Sequence, residues 1–560
     1  MKKILLCLLF IALNTISTEC IAEQIYVNQL GYYPDCTKYA LIENPTGNST
    51  AEIINSATNE TILTASLSNI QTDKFSNTRI GKVDFTSITT PGKYYVKYNG
   101  FNSFIFDIGN DIYKDALFQT ARSYYLQSCG KEINDYISGM IHPPCHLKDG
   151  AIKRGDAYNF TGKIINSIGG WHDAGDYGKY ITSSSTASTL LMLAFEMYPN
   201  TLGLNLSIQK ENNLPDILSE VKYALEWMLR MQREDGAVYR KCSGEKWPSD
   251  TTLAQNDTQE RFVYGISSQD TGRFTATMAI AYRVFKPYDK IFADKCLNAS
   301  LKSWKFLTTH PYTLDYKNTD DSGSGGYPNP SYDTEPYAYT DIDEKIWAAA
   351  ELYLSTGNLQ YLTTVTNNLN QIHYEPFSWK NETYMAVFEL ATHNNSDPEI
   401  KKQMESKLIL NANAIIQKMS DNPYSIPMDK FKWGSNANIL GEGITLTYAY
   451  KVTKDPIYKK YAEKTLNYIF GINPMNKSYV SMMGSNPANN IHHRYSMATG
   501  KIIPGLLAGG PNDTANDNVA KPGLKIKSYI DNAHSYATNE YAIDYNAPLV
   551  FMLTWAVANK

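Results

Sequence analysis

The chain has 560 residues, a formal net charge of -4 and 12% aromatic side chains, with 42 tyrosines. That length supports one small and one large domain, or three medium ones, with an extensive core, while the near-balanced charge and the lack of a basic tract argue against nucleic acid or a polybasic lipid surface as a partner. Ring faces and neutral hydrogen-bonding groups suit neutral polyhydroxylated ligands instead.

In chain order, Met1-Lys2-Lys3 opens onto an apolar run over 4–13 that is too short to span a bilayer and has the form of a secretory signal. Small residues at Cys20-Ile21-Ala22 place cleavage after Ala22, so residues 1–22 are expected to be a leader and the mature protein to be periplasmic or secreted, with no membrane span. Five cysteines remain, Cys36, Cys129, Cys145, Cys242 and Cys296, an odd set that cannot be fully paired. Short alternating runs at 25–27, 39–42, 51–54, 61–63, 80–85, 94–98 and 104–106, separated by Asn, Pro and Gly turns, predict a small all-β immunoglobulin-like sandwich over 23–109 that serves packing and stability.

From residue 110 to 560 the period is helical. Helices are expected near 187–197, 214–231, 271–285, 294–308, 344–355, 359–369, 400–419, 436–451, 457–470 and 549–558, joined by long Gly- and aromatic-rich loops. An all-helical toroid with its loops gathered into a cleft at one end fits that alternation. The loop Gly169-Gly170-Trp171-His172-Asp173-Ala174-Gly175-Asp176-Tyr177-Gly178 carries two carboxylates three residues apart. Like charges held close raise each other's pKa, so one acid can act on water while the other orients it, and the glycines provide positive φ and close approach. The same D-x-G-D spacing also occurs in ordinary turns. Trp171, Trp433 and Tyr536 are either sugar-stacking faces or core.

Cys129, Cys145, His146 and His172 form a donor set suited to a closed tetrahedral zinc site. Read without further context, Cys129–Cys145 is equally a disulfide, His172 a core residue and His142 a rival ligand. Asp341, Asp343 and Glu344 stand ahead of Trp347, as calcium ligands or as acids complementing a helix start.

Near the C-terminus, Tyr529-Ile530-Asp531-Asn532-Ala533-His534-Ser535-Tyr536-Ala537-Thr538-Asn539-Glu540 joins the Asp173/Asp176 loop, the 478–494 segment ending His492-His493-Arg494, and Gly509-Gly510-Pro511-Asn512. Together these motifs resemble glycoside hydrolase family 9 over the whole mature chain, and Val27-Asn28-Gln29-Leu30-Gly31-Tyr32 resembles the start of the immunoglobulin-like domain of one subgroup. The resemblance implies an all-α (α/α)6 barrel that hydrolyses β-1,4-glucosidic bonds of cellulose-like glucans with inversion. It implies Glu540 as general acid, Asp176 as base, Asp173 as the residue placing water, and His492 and Arg494 as sugar-binding groups. It also implies structural zinc on Cys129, Cys145, His146 and His172, and calcium near Asp341, Asp343 and Glu344. Inversion needs acid and base on opposite faces of the ring, roughly 6.5–9.5 Å apart. The expected partner is a β-glucan chain acted on by a monomer. An endo-acting glucanase leads; an exo-acting glucosidase or glucosaminidase, or a glucan-binding protein without turnover, are the alternatives.

Overall fold

Nine short strands between Ile25 and Ile108 pair into one sheet path that folds over on itself. The computed structural model describes residues 24–153, 163–210, 213–310, 341–376, 378 and 382–560. The leader with its cleavage point after Ala22, and Tyr339 and Thr340 ahead of Asp341, lie outside the described residues. The 12-residue strand Thr61–Thr72 pairs with Thr50–Asn55 through its first half and with Arg79–Asp84 through its second, and a register shift between Ser68 and Gln71 interrupts the second ladder. A bulge of this kind bends a strand and lets it serve both layers. Ile42, Ile53, Val83, Phe85, Val96 and Phe106 fill the space between. Six of the seven expected strands occur where expected, and the last, expected at 104–106, instead runs Phe106–Ile108. The extra pairs Gly31–Tyr32 and Phe101–Asn102 have two residues each, too few to show alternation.

Val27 to Gln29 fasten the sandwich to the helices. Gln29 N–H donates to Phe470 O at 2.8 Å, and Asn28 Nδ2 donates to Tyr113 Oη at 2.7 Å and Asn467 Oδ1 at 2.9 Å. Gly471 lies opposite with φ +134°, and a Cβ there would sit 2.5 Å from Val27 O, so this contact demands glycine.

Beyond residue 113, twelve helices of nine residues or more occur among the described residues, and they alternate between two rings. The inner six are Ile181–Met197, Ser268–Phe285, Ile342–Thr356, Thr383–Thr392, Ser435–Thr453 and Ile543–Ala558; each touches the next and the last touches the first. The others, such as Asp216–Arg230, lie outside. This closed double ring is the (α/α)6 barrel.

The two rings follow different sequence rules. An outer helix buries one stripe, as Ile217, Val221, Ala224, Leu225 and Met228 do. An inner helix is buried on nearly every side, so it has no polar face to mark its period. That is why Thr383–Thr392 escaped the periodicity reading and why Ile181–Met197 begins six residues before the expected start, in a Ser- and Thr-rich turn that is nonetheless buried. Pro548 similarly hid the first turn of Ile543–Ala558, because proline inside a helix removes a backbone bond. Strands Ala151–Ile152, Arg261–Ile266, Tyr239–Gly244 and Lys179–Tyr180 make a small sheet at the mouth. Two of them lead into inner helices, which sets the loops around Asp176 at the N-terminal end of the ring.

Candidate active site

Four segments distant in sequence meet at the barrel mouth. Asp173 N–H donates to Gly178 O at 2.9 Å, closing the loop that carries both aspartates, and Ile543 N–H donates to Asp173 O at 2.8 Å. Ala174 forms an antiparallel bridge with Ala542, and His492 a parallel bridge with Glu540. Gly509 N–H donates to Glu540 O at 2.9 Å from the other side. Asp173, Asp176, Glu540, His492 and Arg494 are therefore brought together by backbone bonding.

Gly175 is the pivot of this arrangement. A Cβ at this position would lie 2.4 Å from His492 O and 3.2 Å from Glu540 Oε1, so any side chain would push the aspartate loop off the glutamate. Among the loop glycines, Gly169 and Gly170 have positive φ, at +94° and +76°, whereas Gly175 and Gly178 do not. At Gly175 glycine serves close approach between two segments of the mouth, not backbone handedness.

The electrostatics single out Glu540. Burial first, and the neighbouring Asp176 charge second, push its carboxyl up to about 8, against relief from Arg494 and from the Gly175 N–H. The residue keeps a partial opening to solvent while its carboxyl is densely surrounded. At neutral pH it holds a proton that it can give away. Asp176 and Asp173 are both buried beside it. Asp544, in the first turn of the following helix, is also held up, to about 7, by burial.

His492 Nδ1 lies 2.6 Å from Ala533 O, a carbonyl that can only accept, so Nδ1 carries the proton and Nε2 is left as an acceptor. Burial lowers its pKa and keeps it neutral. Arg494 directs Nε and Nη2 onto Pro248 O at 3.0 and 2.8 Å. Its fork thus anchors the loop bearing Trp247 and Asp250, where sequence reasoning expected it to grip sugar hydroxyls. Asp250 Oδ2 in turn lies 3.6 Å from His534 Nδ1.

The aromatic expectations divide. Trp433 and Tyr536 are each 39% exposed and stack with centroids 5.9 Å apart, 25° from parallel, and Tyr536 lies 6.1 Å from the His492 ring. They form a half-exposed aromatic pair beside His492, which is bridged to Glu540 through the backbone. Trp171 does not belong to it: the indole is 0% exposed and Nε1 donates to Glu220 Oε1 at 2.8 Å, so it is core and offers no face to a ligand.

Behind the aspartate loop, Cys129, Cys145, His146 and His172 converge, all with donor atoms within 4.8 Å of one another. Cys129 Sγ lies 3.7 Å from His146 Nδ1, Cys145 Sγ 3.7 Å from His172 Nε2, and the two imidazoles approach to 3.2 Å. Ligands held ~2.0–2.3 Å from one tetrahedral centre have edges of roughly 3.3–3.8 Å, so the donor set fits a four-coordinate metal. Both cysteines are free thiols, and His142 turns away to Pro143 O at 2.8 Å. Asp257 Oδ2, 3.4 Å from His146 Nε2, supplies the outer carboxylate that such ligands commonly have.

Gln127, which sequence reasoning missed, ties this cluster to the mouth. Its carbonyl accepts from His172 N–H at 2.8 Å, its Nε2 donates to Ala174 O at 3.1 Å, and its Oε1 lies 3.0 Å from His493 Nε2. Its only mark in the sequence is its place two residues before Cys129; its burial and its partners appear only in the fold.

The second acidic cluster differs from its prediction. Asp343 and Glu344 meet Glu382, not Asp341, whose Oδ1 pairs with Lys345 Nζ at 2.8 Å. Arg273 runs between the buried members, at 2.8 Å from Glu344 and 3.0 Å from Glu382.

Residues 113–553 match the family model for glycosyl hydrolase family 9, and residues 21–103 match the model for the cellulase N-terminal ig-like domain. The chain belongs to glycosyl hydrolase family 9. Among relatives of this family member, a cellodextrinase from Butyrivibrio fibrisolvens is 29% identical over 95% of this chain and 99% of its own. Endoglucanase D from Acetivibrio thermocellus is 30% identical over 95% of this chain and 83% of its own. Of solved structures, a metagenome-derived glycoside hydrolase family 9 endoglucanase superposes with TM-score 0.90 at 37% identity, covering 96% of this chain and 99% of that one. A Zn-binding triple mutant of the family 9 endoglucanase J30 gives 0.88 at 32% identity, covering 93% and 99%.

Proposed function

We propose that this family 9 hydrolase cleaves β-1,4-glucosidic bonds within cellulose-like chains, with inversion, and that Glu540 protonates the departing oxygen while Asp176 takes a proton from the attacking water and Asp173 helps to place it. The juncture at Gly175 carries the reading, because it sets an aspartate pair against a glutamate that retains its proton at neutral pH. Acid and base roles divide when neighbouring carboxyls are held at different pKa values. The Trp433–Tyr536 platform and the His492 acceptor are the sugar-contacting surfaces. Residues 1–22 act as an export signal, residues 23–109 as the stabilising sandwich and residues 110–560 as the catalytic barrel of a secreted or periplasmic monomer. No helix among the described residues is long and apolar enough to cross a membrane.

Zinc is the metal that two thiols and two imidazoles favour at Cys129, Cys145, His146 and His172, where it stiffens the loop bearing Asp173. The similarity to a Zn-binding family 9 structure supports that choice. Calcium at Asp343, Glu344 and Glu382 is the corresponding proposal for the acidic cluster.

Glu540→Gln should reduce hydrolysis of carboxymethylcellulose at least about 1,000-fold while leaving the fold intact; retained turnover would remove the acid assignment. Early products from cellopentaose should carry the α-anomer. Activity should fall as pH rises through about 8, where Glu540 loses its proton. The same raised pKa means that the protonated carboxyl favours folding at acid pH and that this support is lost as pH climbs through about 8. The Glu540→Gln protein should accordingly gain most in melting temperature, relative to the parent, in alkaline buffer.

A second reading, exo action on short chains, has one observation in its favour. Asp250 and His534 face each other across 3.6 Å from two different loops beside His492, narrowing that side of the cleft. Release of a single product size from cello-oligosaccharides, with no fall in polymer viscosity, would establish it over the endo reading.

A further inference from the structure

Away from the cleft, a cavity of about 260 Å³ opens between the hairpin of Ile133–Asp135 and Met140–His142 and the chain at Ser207 to Gln209. Buried Arg122 clamps both walls from beneath: it donates to Asp135 Oδ1 on the hairpin, and to Leu206 O and, at 3.1 Å, Ser207 O on the other side. Asp135 Oδ2 also accepts from Ser138 N–H at 2.8 Å and Ser138 Oγ at 2.6 Å, fixing the hairpin turn. The walls are therefore held by buried bonds.

What they present to solvent is uncommitted. Glu132, Asn134, Ser207 and Gln209 line the cavity, and none of these side chains is hydrogen-bonded to another described residue. Beside them Tyr136 is 82% exposed at the start of the turn. An exposed ring next to a rigid cavity lined by amide, hydroxyl and carboxylate groups has the chemistry that holds a pyranose: an apolar sugar face on the ring, equatorial hydroxyls on the polar groups. Pockets for drug-sized ligands measure roughly 300–1,000 Å³, so this cavity, just below that range, suits about one sugar unit, with the rest of a chain lying outside it. The hairpin is tied to the helix that begins at Arg494, since Ile141 N–H donates to Tyr495 Oη at 3.1 Å.

We propose that this cavity is a second, non-catalytic binding site for β-glucan chains, which holds a polymer at a distance from the cleavage point. The proposal rests on the glucan-hydrolase reading above. Its failure is distinguishable, because that reading is tested first on the parent enzyme alone. Two variants probe the site, Tyr136→Ala and the pair Asn134→Ala with Gln209→Ala. In the Glu540→Gln background, calorimetric titration with cellotetraose should show two sites, and one after either change. In the active enzyme, KM for hydroxyethylcellulose should rise about 3- to 10-fold, the loss of one stacking or hydrogen-bonded contact, while kcat and KM on cellotriose stay within about 2-fold. A single site in the Glu540→Gln protein before either change, two sites remaining after both changes, or an unchanged polymer KM in variants that melt with the parent, would overturn the proposal.

Discussion

The two buried donor clusters make an instructive pair. At Cys129, Cys145, His146 and His172 the donors face one another at 3.2–3.7 Å, and the buried cations Lys179 and Arg261 act on the thiols from outside the set and do not bond to the four donors. At Asp343, Glu344 and Glu382 the guanidinium of Arg273 already lies between two of the three carboxylates. The first set gains a common centre only from a metal, whereas the second has part of its charge balanced internally. Convergence of ligand-type residues therefore does not by itself measure dependence on a metal; what matters is which positive group the chain has already placed there.

Removing a thiol is the hardest test of that contrast. Cys145→Ser should abolish stoichiometric zinc by elemental analysis and cost about 5 kcal/mol or more in denaturant unfolding. Activity should fall with it, because His172 adjoins Asp173; a variant that keeps full stability without zinc would erase the distinction. Arg273→Met leaves Glu344 and Glu382 buried without their counter-charge and should cost about 3–5 kcal/mol in calcium-free buffer. Added calcium should restore part of that loss but none of the Cys145→Ser deficit. In the parent, calcium at 100 times its Kd should add about 2.7 kcal/mol, read as a rise in melting temperature, and Glu382→Gln should remove the response. The smallest effect belongs to Asp341→Asn. It should cost only about 1 kcal/mol, the loss of a helix-start pair with Lys345, and leave the calcium response in place.

The sandwich, the outer helices and the Asp173/Asp176 loop were legible because they are local signals: alternation in 25–106, stripes on the outer helices, and a motif rich in Gly, Asp and aromatic residues; Glu540, His492 and Arg494 were legible only through the resemblance to family 9. Three kinds of information were not local. Inner helices buried on all sides carry no period, which hid Thr383–Thr392. Whether an aromatic faces solvent depends on what packs over it, so Trp171 and Trp433, alike in sequence context, fall on opposite sides of the surface. Partners from remote segments, such as Glu382 for Asp343 or Pro248 for Arg494, exist only once the barrel closes. The reason for a glycine at position 175 belongs to the same class, since Glu540 lies hundreds of residues away.

Because Asp173, Gly175 and Glu540 share one short ladder of main-chain bonds, the backbones that carry them are spaced by peptide geometry, the stiffest gauge a protein possesses. A change at the rim that leaves those bonds in place leaves that spacing unaltered, so variety at the rim and precision beneath it are separable.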